Sequence, residues 1–314
     1  MNKLLIICGP TATGKTDLAI KLCKKFSGEI VSADSRQVYR NLDIGTGKVG
    51  IGQTACKKDN FWIVDGVKIN LYDVASLKER FDLADFISLA AACIDQIWHS
   101  GRLPMVVGGT GFYIKGLLEG VESLGVEPDL ILRQTLSSLT VDELADKLQG
   151  LNMDKWQSLN YSDRKNPRRL IRAIEIAQSA KLRPLPLTRL SMVKADVLKI
   201  GLTAPRAVLF DKVNQWVASR TTGIIKEVKN LKKAGVTAQK LAELGFVYKL
   251  VNLYNEGQLT LEQFENELKK EMRHYVIRQL AWFKKDHQIV WFDITNPNLY
   301  SQVEQIVVKW YNNQ

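Results

Sequence analysis

The residues best equipped for chemistry stand near the start of the chain. Residues 8–17 read CGPTATGKTD and fit Gly-x-x-x-x-Gly-Lys-Thr at Gly9, Gly14, Lys15 and Thr16. In such a loop, backbone N–H groups and a helix N-terminus bind phosphate oxygens, the lysine adds a point charge, and the threonine hydroxyl suits Mg²⁺. The expected phosphate-binding set is Gly9, Pro10, Thr11, Ala12, Thr13, Gly14, Lys15 and Thr16, with Thr16 as the metal ligand. The loop serves many reactions, so it leaves open which bond is broken.

Four further stretches bear on that question. In SADSRQVY (32–39), Asp34 ends a strand beside the loop. An acid there holds Mg²⁺ through water in P-loop NTPases, takes a proton from the acceptor in small-molecule kinases, or caps a helix, a role Ser35 also suits. The base reading is favoured because the later strand, MVVGG, ends in no acid. That missing acid also argues against a motor-type ATPase. In GGTGFYIKGLLEG (108–120), two glycines permit close approach to a ligand and Thr110 offers a hydroxyl. A tight strand-to-helix turn accounts for the glycines equally well.

The other two stretches are basic. DRKNPRRLIRAIEI (163–176) sets Arg164, Lys165, Arg168, Arg169 and Arg172 against only Asp163 and Glu175. Arg168 and Arg172 share a helix face, while Leu170, Ile171, Ile174 and Ile176 can bury the other. Such a helix grips phosphodiester backbones, and its arginine density favours that over a solvated face. MRHYVIRQLAWFKKD (272–286) interleaves cations with Tyr275, Trp282 and Phe283, as a stacking surface for unpaired bases does. Tyr275 and Phe283 fit a core as well, which leaves Arg278 and Gln279 as the better ligand contacts.

Elements must hold these residues in place. The pattern predicts a strand at 3–8, a helix from about Gly14 to Phe26 with Leu18, Leu22 and Phe26 on one face, and a strand at 29–34. A helix follows at Leu83–His99 and a strand through Met105–Val107. Strands alternating with helices predict an α/β fold: a P-loop NTPase-like parallel sheet flanked by helices, with ligands at the carboxyl ends of strands. From residue 122 to 189 the pattern is helical and closes on the Pro-rich KLRPLPLTR. This reads as an inserted all-helical domain within a catalytic core of 1–121 and 190–314. A strand at 198–205, long helices at Val208–Ala234 and Thr260–Lys285, a strand at 288–294 and a helix at Leu299–Tyr311 complete it. Thr260 and Gln263 form an expected capping box.

Composition narrows the partners. The formal charge is +11 over 314 residues, which suits a polyanionic partner such as nucleic acid or an anionic membrane surface, and by itself suits plain solubility equally well. Cys8, Cys23, Cys56 and Cys93 form no C-x-x-C and do not cluster with His99, His274 and His287, so neither a zinc site nor a disulfide framework is expected. MNKLLIIC is too short for a signal peptide and reads as a buried strand, and no apolar run is long enough for a bilayer. A cytoplasmic monomer is expected.

Taken together, GPTATGKT, SADSRQVYRNLDIGTGK, PMVVGGTGFYIKGLL, RRLIRAIEI and RQLAWFK resemble, in order and over nearly the whole chain, the tRNA dimethylallyltransferases, also called tRNA isopentenyltransferases, of bacterial type. The resemblance implies transfer of a dimethylallyl group from its diphosphate to the exocyclic amine of the adenosine 3′-adjacent to the tRNA anticodon. The loop would then bind the diphosphate leaving group, with Lys15, Thr16 and Mg²⁺ stabilising its charge. Asp34 matches the family's general base, and Thr110 a position at the reaction centre that also contacts the RNA. Asp34, Ser35, Arg36 and Gln37 match the segment that reads the adenosine. Arg133 matches a channel arginine and Asn166 to Leu170 a tRNA-contact stretch. With Arg168, Arg169 and Arg172, the insertion would clasp the anticodon stem-loop.

The chain also departs from the family. Ile69 and Asn70 replace a His pair, and GTGKV replaces GTAKP. GFVYK (245–249) stands for Gly-Tyr-Lys-Glu, and Ile277 precedes Arg278 and Gln279. Trp216 stands near an expected arginine, with Arg220 as a replacement. These changes bear on the tRNA channel. Other activities open to such a chain are prenylation of free adenine nucleotides, which would not need the basic insertion, and small-molecule phosphorylation from ATP, which would need a nucleoside pocket.

Overall fold

The computed structural model describes residues 2–50, 52–121, 126–179 and 195–313. The chain divides into two compact units, Met1–Leu118 with Arg189–Gln314, and Glu119–Thr188. The first opens with β1 (Lys3–Cys8), α1 (Lys15–Phe26), β2 (Gly28–Ser32), β3 (Ala55–Lys58), β4 (Phe61–Val64) and β5 (Val67–Asn70), followed by α2 (Leu83–His99), β6 (Leu103–Gly108) and α3 (Gly111–Glu119). The second holds α4 (Leu130–Leu136), α5 (Val141–Leu151), α6 (Met153–Ser158), α7 (Tyr161–Arg164) and α8 (Pro167–Gln178). The first then resumes with β7 (Asp196–Thr203), α9 (Arg206–Lys233), α10 (Ala238–Glu243), α11 (Phe246–Asn255), α12 (Leu261–Phe283), β8 (Ile289–Asp293) and α13 (Leu299–Asn312). The Pro-rich KLRPLPLTR lies outside the described residues.

The eight strands form one sheet in the order β3-β4-β5-β2-β6-β1-β7-β8. From β5 to β8 the pairing is parallel. The central strands are buried along their length, as strands covered on both faces must be, and so read as continuous apolar runs. Leu5 and Ile7 share a core with Leu18 and Leu22 of α1 and with Val303 and Val307 of α13. A separate core joins Val213, Val217, Ile224 and Val228 of α9 to Val251, Phe264, Leu268 and Val276, and takes in Val38, Tyr39 and Leu42.

Two local differences from the expected elements have simple causes. β2 ends at Ser32, two residues before Asp34: the Ala33 N–H makes the last ladder bond, to Val107 O at 2.8 Å, and the chain then turns where Asp34 accepts the N–H groups of Arg36 and Gln37. The edge of the sheet is a meander, β3-β4-β5, with antiparallel pairing that the sequence reading did not assign. Its turns use Asn60 at φ 68° and the Asp65–Gly66 pair at φ 48° and 80°, the left-handed backbone of tight hairpin turns.

The helical unit builds its own core from Leu136, Leu144, Leu148, Leu170, Ala173 and Ile174. Side-chain caps define its helices. Asp129, Thr140, Asn152, Asn160 and Asn166 each accept a backbone N–H from the first turn that follows.

Candidate active site

Register brings three loops together. Cys8 pairs with Gly108, and Ser32 with Val107, so the chain leaves β1, β2 and β6 at the same level. Residues 9–16, 33–37 and 109–111 therefore gather at the carboxyl ends of three adjacent strands, where open parallel sheets bind ligands.

The first loop is shaped for an anion. Gly9 holds φ 131° and lies against Leu202 O, so no other residue fits there. Gly14 in left-handed backbone starts α1, whose first turn aims unpaired N–H groups into the loop. Thr13 Oγ1 donates to Pro10 O at 2.8 Å and ties the loop to itself. Lys15 Nζ also donates to Pro10 O, at 2.6 Å, and so rests on the loop it serves. Burial lowers the Lys15 pKa to about 8, although the charges of Asp34 and Cys8 act the other way. A bound diphosphate would restore the ordinary lysine range. The Cys8 thiol beneath the loop is pushed up to about 12 by burial and is no nucleophile.

The second loop carries the acid. Asp34 Oδ1 accepts the backbone N–H of Arg36 at 2.8 Å and of Gln37 at 3.3 Å, so Asp34, rather than Ser35, caps this turn. Among the described residues Oδ2 has no hydrogen-bond partner. Burial, then the charge of Asp34, pushes the phenols of Tyr72 and Tyr275 above their ordinary range. Those tyrosines stay neutral. Gln37 is directed inward: Ser32 Oγ donates to its Oε1 at 2.8 Å, and its Nε2 donates to Thr46 O at 3.1 Å. Arg36 stands half-buried beside Gly245.

The third loop joins the other two. Thr110 N donates to Ala33 O at 3.3 Å, and Thr110 Oγ1 accepts the N–H of Ser35 at 3.2 Å. The glycines before Thr110 answer to close packing inside the protein: a side chain at Gly108 would strike Ala33, and one at Gly109 would strike Nε2 of Gln279. Gln279, 5% exposed, accepts Thr11 N at 2.9 Å and Thr11 Oγ1 at 3.1 Å and donates to Gly109 O at 2.9 Å. The Thr11 N–H is thus engaged by Gln279 and not by the phosphate nest. Neighbouring Arg278 is exposed, with its guanidinium 5.9 Å from the Tyr275 ring.

A cavity of about 490 Å³ opens on the outer side of the first loop, lined by Ala12–Gly14, Asp17 and Lys21, and by Lys212, Trp216 and Arg220 of α9. The Arg220 guanidinium lies 5.2 Å from the Trp216 ring and donates to Val49 O at 3.2 Å. Burial lowers its pKa, offset in part by Asp17.

The predicted RNA contacts of the helical unit fall into two groups. Arg168 is exposed, and so is Arg169, which pairs with Asp163. Asn166 caps α8 through the N–H of Arg169. Arg133 and Arg172 instead converge on buried Glu175. Arg133 meets it through two bonds of 2.7 Å; Arg172 adds one of 3.0 Å and one to Val126 O. Burial alone would raise the Glu175 carboxyl, but the bonds from Arg133 and Arg172 and the Arg133 charge together outweigh it and hold the carboxyl below its usual range.

Two working residues escaped the sequence reading. Glu227, buried on α9, accepts the N–H groups of Asp43 and Ile44 at 2.8 and 2.7 Å, Gly45 at 3.2 Å and the Tyr248 hydroxyl at 3.1 Å. Lys48, with its side chain fully buried, joins Asp43 and Asp73 and donates to Tyr39 O. Together they set residues 43–48, which receive Gln37. An acid between Ile224 and Val228 on the apolar stripe of α9 was the legible sign of the first. The departures also find places: Ile69 is core, and Asn70 Nδ2 donates to Glu29 Oε2 and Ile30 O. Ile277 is half-buried on α12.

A phosphate loop between the first strand and helix of a central parallel sheet defines this protein as a P-loop α/β protein, with its acid on the neighbouring loop after β2. Family models narrow the class: the one described as IPP transferase matches residues 37–286, and one described as isopentenyl transferase matches residues 2–64. The chain belongs to the IPP transferase family. It is 35% identical to the tRNA dimethylallyltransferase of Pediococcus pentosaceus, over 99% of this chain and 97% of that one. It is 36% identical to that of Limosilactobacillus reuteri, over 99% of each. Among solved structures it is similar to the full-length tRNA isopentenylpyrophosphate transferase of Bacillus halodurans, at TM-score 0.69 and 32% identity, covering 99% of this chain and 97% of that one.

Proposed function

We propose that this protein transfers a dimethylallyl group from dimethylallyl diphosphate to the exocyclic amine of the adenosine 3′-adjacent to the tRNA anticodon, releasing diphosphate. The observation that carries the reading is the pairing of a phosphate nest with a carboxylate one loop away, close enough for the charge of Asp34 to act on Lys15. A transfer of this kind needs both: a cradle for the leaving group and a base for the attacking amine.

The amine nitrogen attacks the CH₂ carbon of the dimethylallyl group, the one that carries the diphosphate. The carbon–oxygen bond to the diphosphate breaks, and its electron pair leaves with the diphosphate. Lys15 and the N-terminus of α1 bind the negative charge that develops there. The amine proton passes to Oδ2 of Asp34. Thr110 holds the Asp34 turn through Ser35 and meets the reaction centre. The target adenine must leave its stack to reach this turn. Arg220 and Lys212 add positive charge beside the loop, where the donor is to bind. Arg168, Arg169 and Asn166 of the helical unit bind the RNA backbone, and Arg278 and Arg36 of the sheet unit also contact the RNA.

A divalent cation fits the same loop. Among the described residues no three His, Cys, Asp or Glu side chains gather into an all-protein cage. Mg²⁺ bound through substrate phosphates and water needs only the Thr16 hydroxyl from the protein, and such an oxygen donor suits it. When bound, it would neutralise diphosphate charge. Among the described residues no helix is long and apolar enough to cross a membrane; we place the activity in the cytoplasm, where its substrate tRNA resides.

The test is incubation with Mg²⁺, labelled dimethylallyl diphosphate and either tRNA or AMP. Label in tRNA is expected. Label in AMP alone, or phosphate transfer from ATP, overturns the reading.

A further inference from the structure

We propose that Gln279 is a positioning residue that sets the diphosphate loop in register with the turn carrying Asp34. The inference rests on the transfer reaction above. The amide is buried at the meeting of two loops, and both of its ends are used. Its oxygen fills two acceptor sites with the N–H and hydroxyl of Thr11, and its nitrogen donates to Gly109 O. From Gly109 the path is short. Thr110 follows in the chain, pairs with Ala33 O and accepts the N–H of Ser35, so that Asp34 lies between two residues tied to this loop. One side chain from α12 thereby links the start of the leaving-group cradle to the base.

Only a group of this length that accepts at one end and donates at the other satisfies both contacts. Thr11 presents donors and Gly109 presents an acceptor, so the bridging group must accept at one end and donate at the other. A carboxylate fails at Gly109, and a methionine of similar shape fails at both. A protonated glutamate succeeds, because its O–H replaces the amide N–H. Gly109 completes the fit, since any side chain there would strike Nε2 of Gln279. Misplacing reacting groups by about 1 Å can cost roughly 100-fold in rate, so loss of this link should be read in the chemical step rather than in binding.

The experiment compares single-turnover transfer from labelled dimethylallyl diphosphate to tRNA by wild type, Gln279→Met and Gln279→Glu, with tRNA affinity measured alongside. Gln279→Met is expected to lose about 10- to 100-fold in transfer rate while tRNA affinity stays within about threefold. The rate of Gln279→Glu, divided by that of wild type at each pH, is expected to rise at least about tenfold as pH falls from about 8 to about 5.5, because burial favours the neutral acid. The division removes any pH dependence that the two proteins share. A flat ratio, or wild-type transfer by Gln279→Met, overturns the proposal. Weakened tRNA binding with unchanged transfer from the bound complex also overturns it and makes Gln279 an RNA contact. Should Gln279→Met not fold, the Gln279→Glu ratio decides. Absence of transfer by wild type would instead refute the reaction on which the inference rests.

Discussion

Lys15 offers a prediction that can be worked to a number. Without ligand, burial in the loop lowers its pKa to about 8. Two phosphates beside it favour the charged form, so the bound state returns it to the ordinary lysine range. Binding then takes up a proton wherever the free loop has lost it: roughly half a proton at pH 8 and about 0.9 at pH 9. Affinity follows, about twofold weaker at pH 8 and about tenfold weaker at pH 9 than at pH 7. The assay is calorimetric titration with an unreactive thiolo analogue of dimethylallyl diphosphate, in two buffers of different ionisation enthalpy. Lys15→Arg is the control, since its charge does not titrate in this window and its proton uptake should vanish. The same shift has a sign for folding. Between pH 8 and the ordinary lysine value the unfolded chain binds the proton and the folded one does not, so the unliganded protein gains stability there as pH rises. Wild-type uptake near zero at pH 8–9, or equal uptake by Lys15→Arg, would refute the reasoning.

Other perturbations test the supporting parts. Glu227→Ala strands three backbone N–H groups and the Tyr248 hydroxyl in a buried site; a loss of about 3–5 kcal/mol is expected, seen by calorimetry as a Tm lower by roughly 5–10 °C. Arg168→Ala should weaken tRNA binding and reduce the slope of log affinity against log salt by about 0.7–0.9, with Tm unchanged. Arg133→Ala removes one of the two cations that meet buried Glu175 among the described residues. With a third of the Arg133 side chain exposed, about 1–2 kcal/mol is expected, read as earlier melting of the helical unit by hydrogen exchange.

The strands that carry the site were legible because buried parallel strands are continuous apolar runs, and β1 and β6 differ little from their expected limits. The meander of β3 to β5 was not. β3, ACKK, is wholly exposed and four residues long, so it leaves no apolar trace. Residue type singled out Lys15 and Asp34, and the fold places them at the carboxyl ends of β1 and β2 in one sheet, as the loop and the strand end imply. Type could not give direction. Gln279, Gln37, Arg133 and Arg172 are all polar side chains with ligand chemistry, yet the fold turns each toward the protein. Packing of α12 against the loops, and of α8 around Glu175, decides that, and neither is encoded within a window of neighbouring residues. The glycines at 108 and 109 teach the same lesson: spacing announced a close approach, and only the fold identified Ala33 and Gln279 as the groups approached.

The most direct test of the account is the action of Asp34→Asn. The amide keeps the shape of the turn and the acceptor for Arg36 and Gln37, and loses only the capacity to take a proton. Single-turnover transfer of labelled dimethylallyl to tRNA should fall by about 10²- to 10⁴-fold, with tRNA affinity within about threefold of wild type. Transfer by Asp34→Asn within a few-fold of wild type would contradict the assignment of Asp34 as the base and, with it, the mechanism built on the three loops.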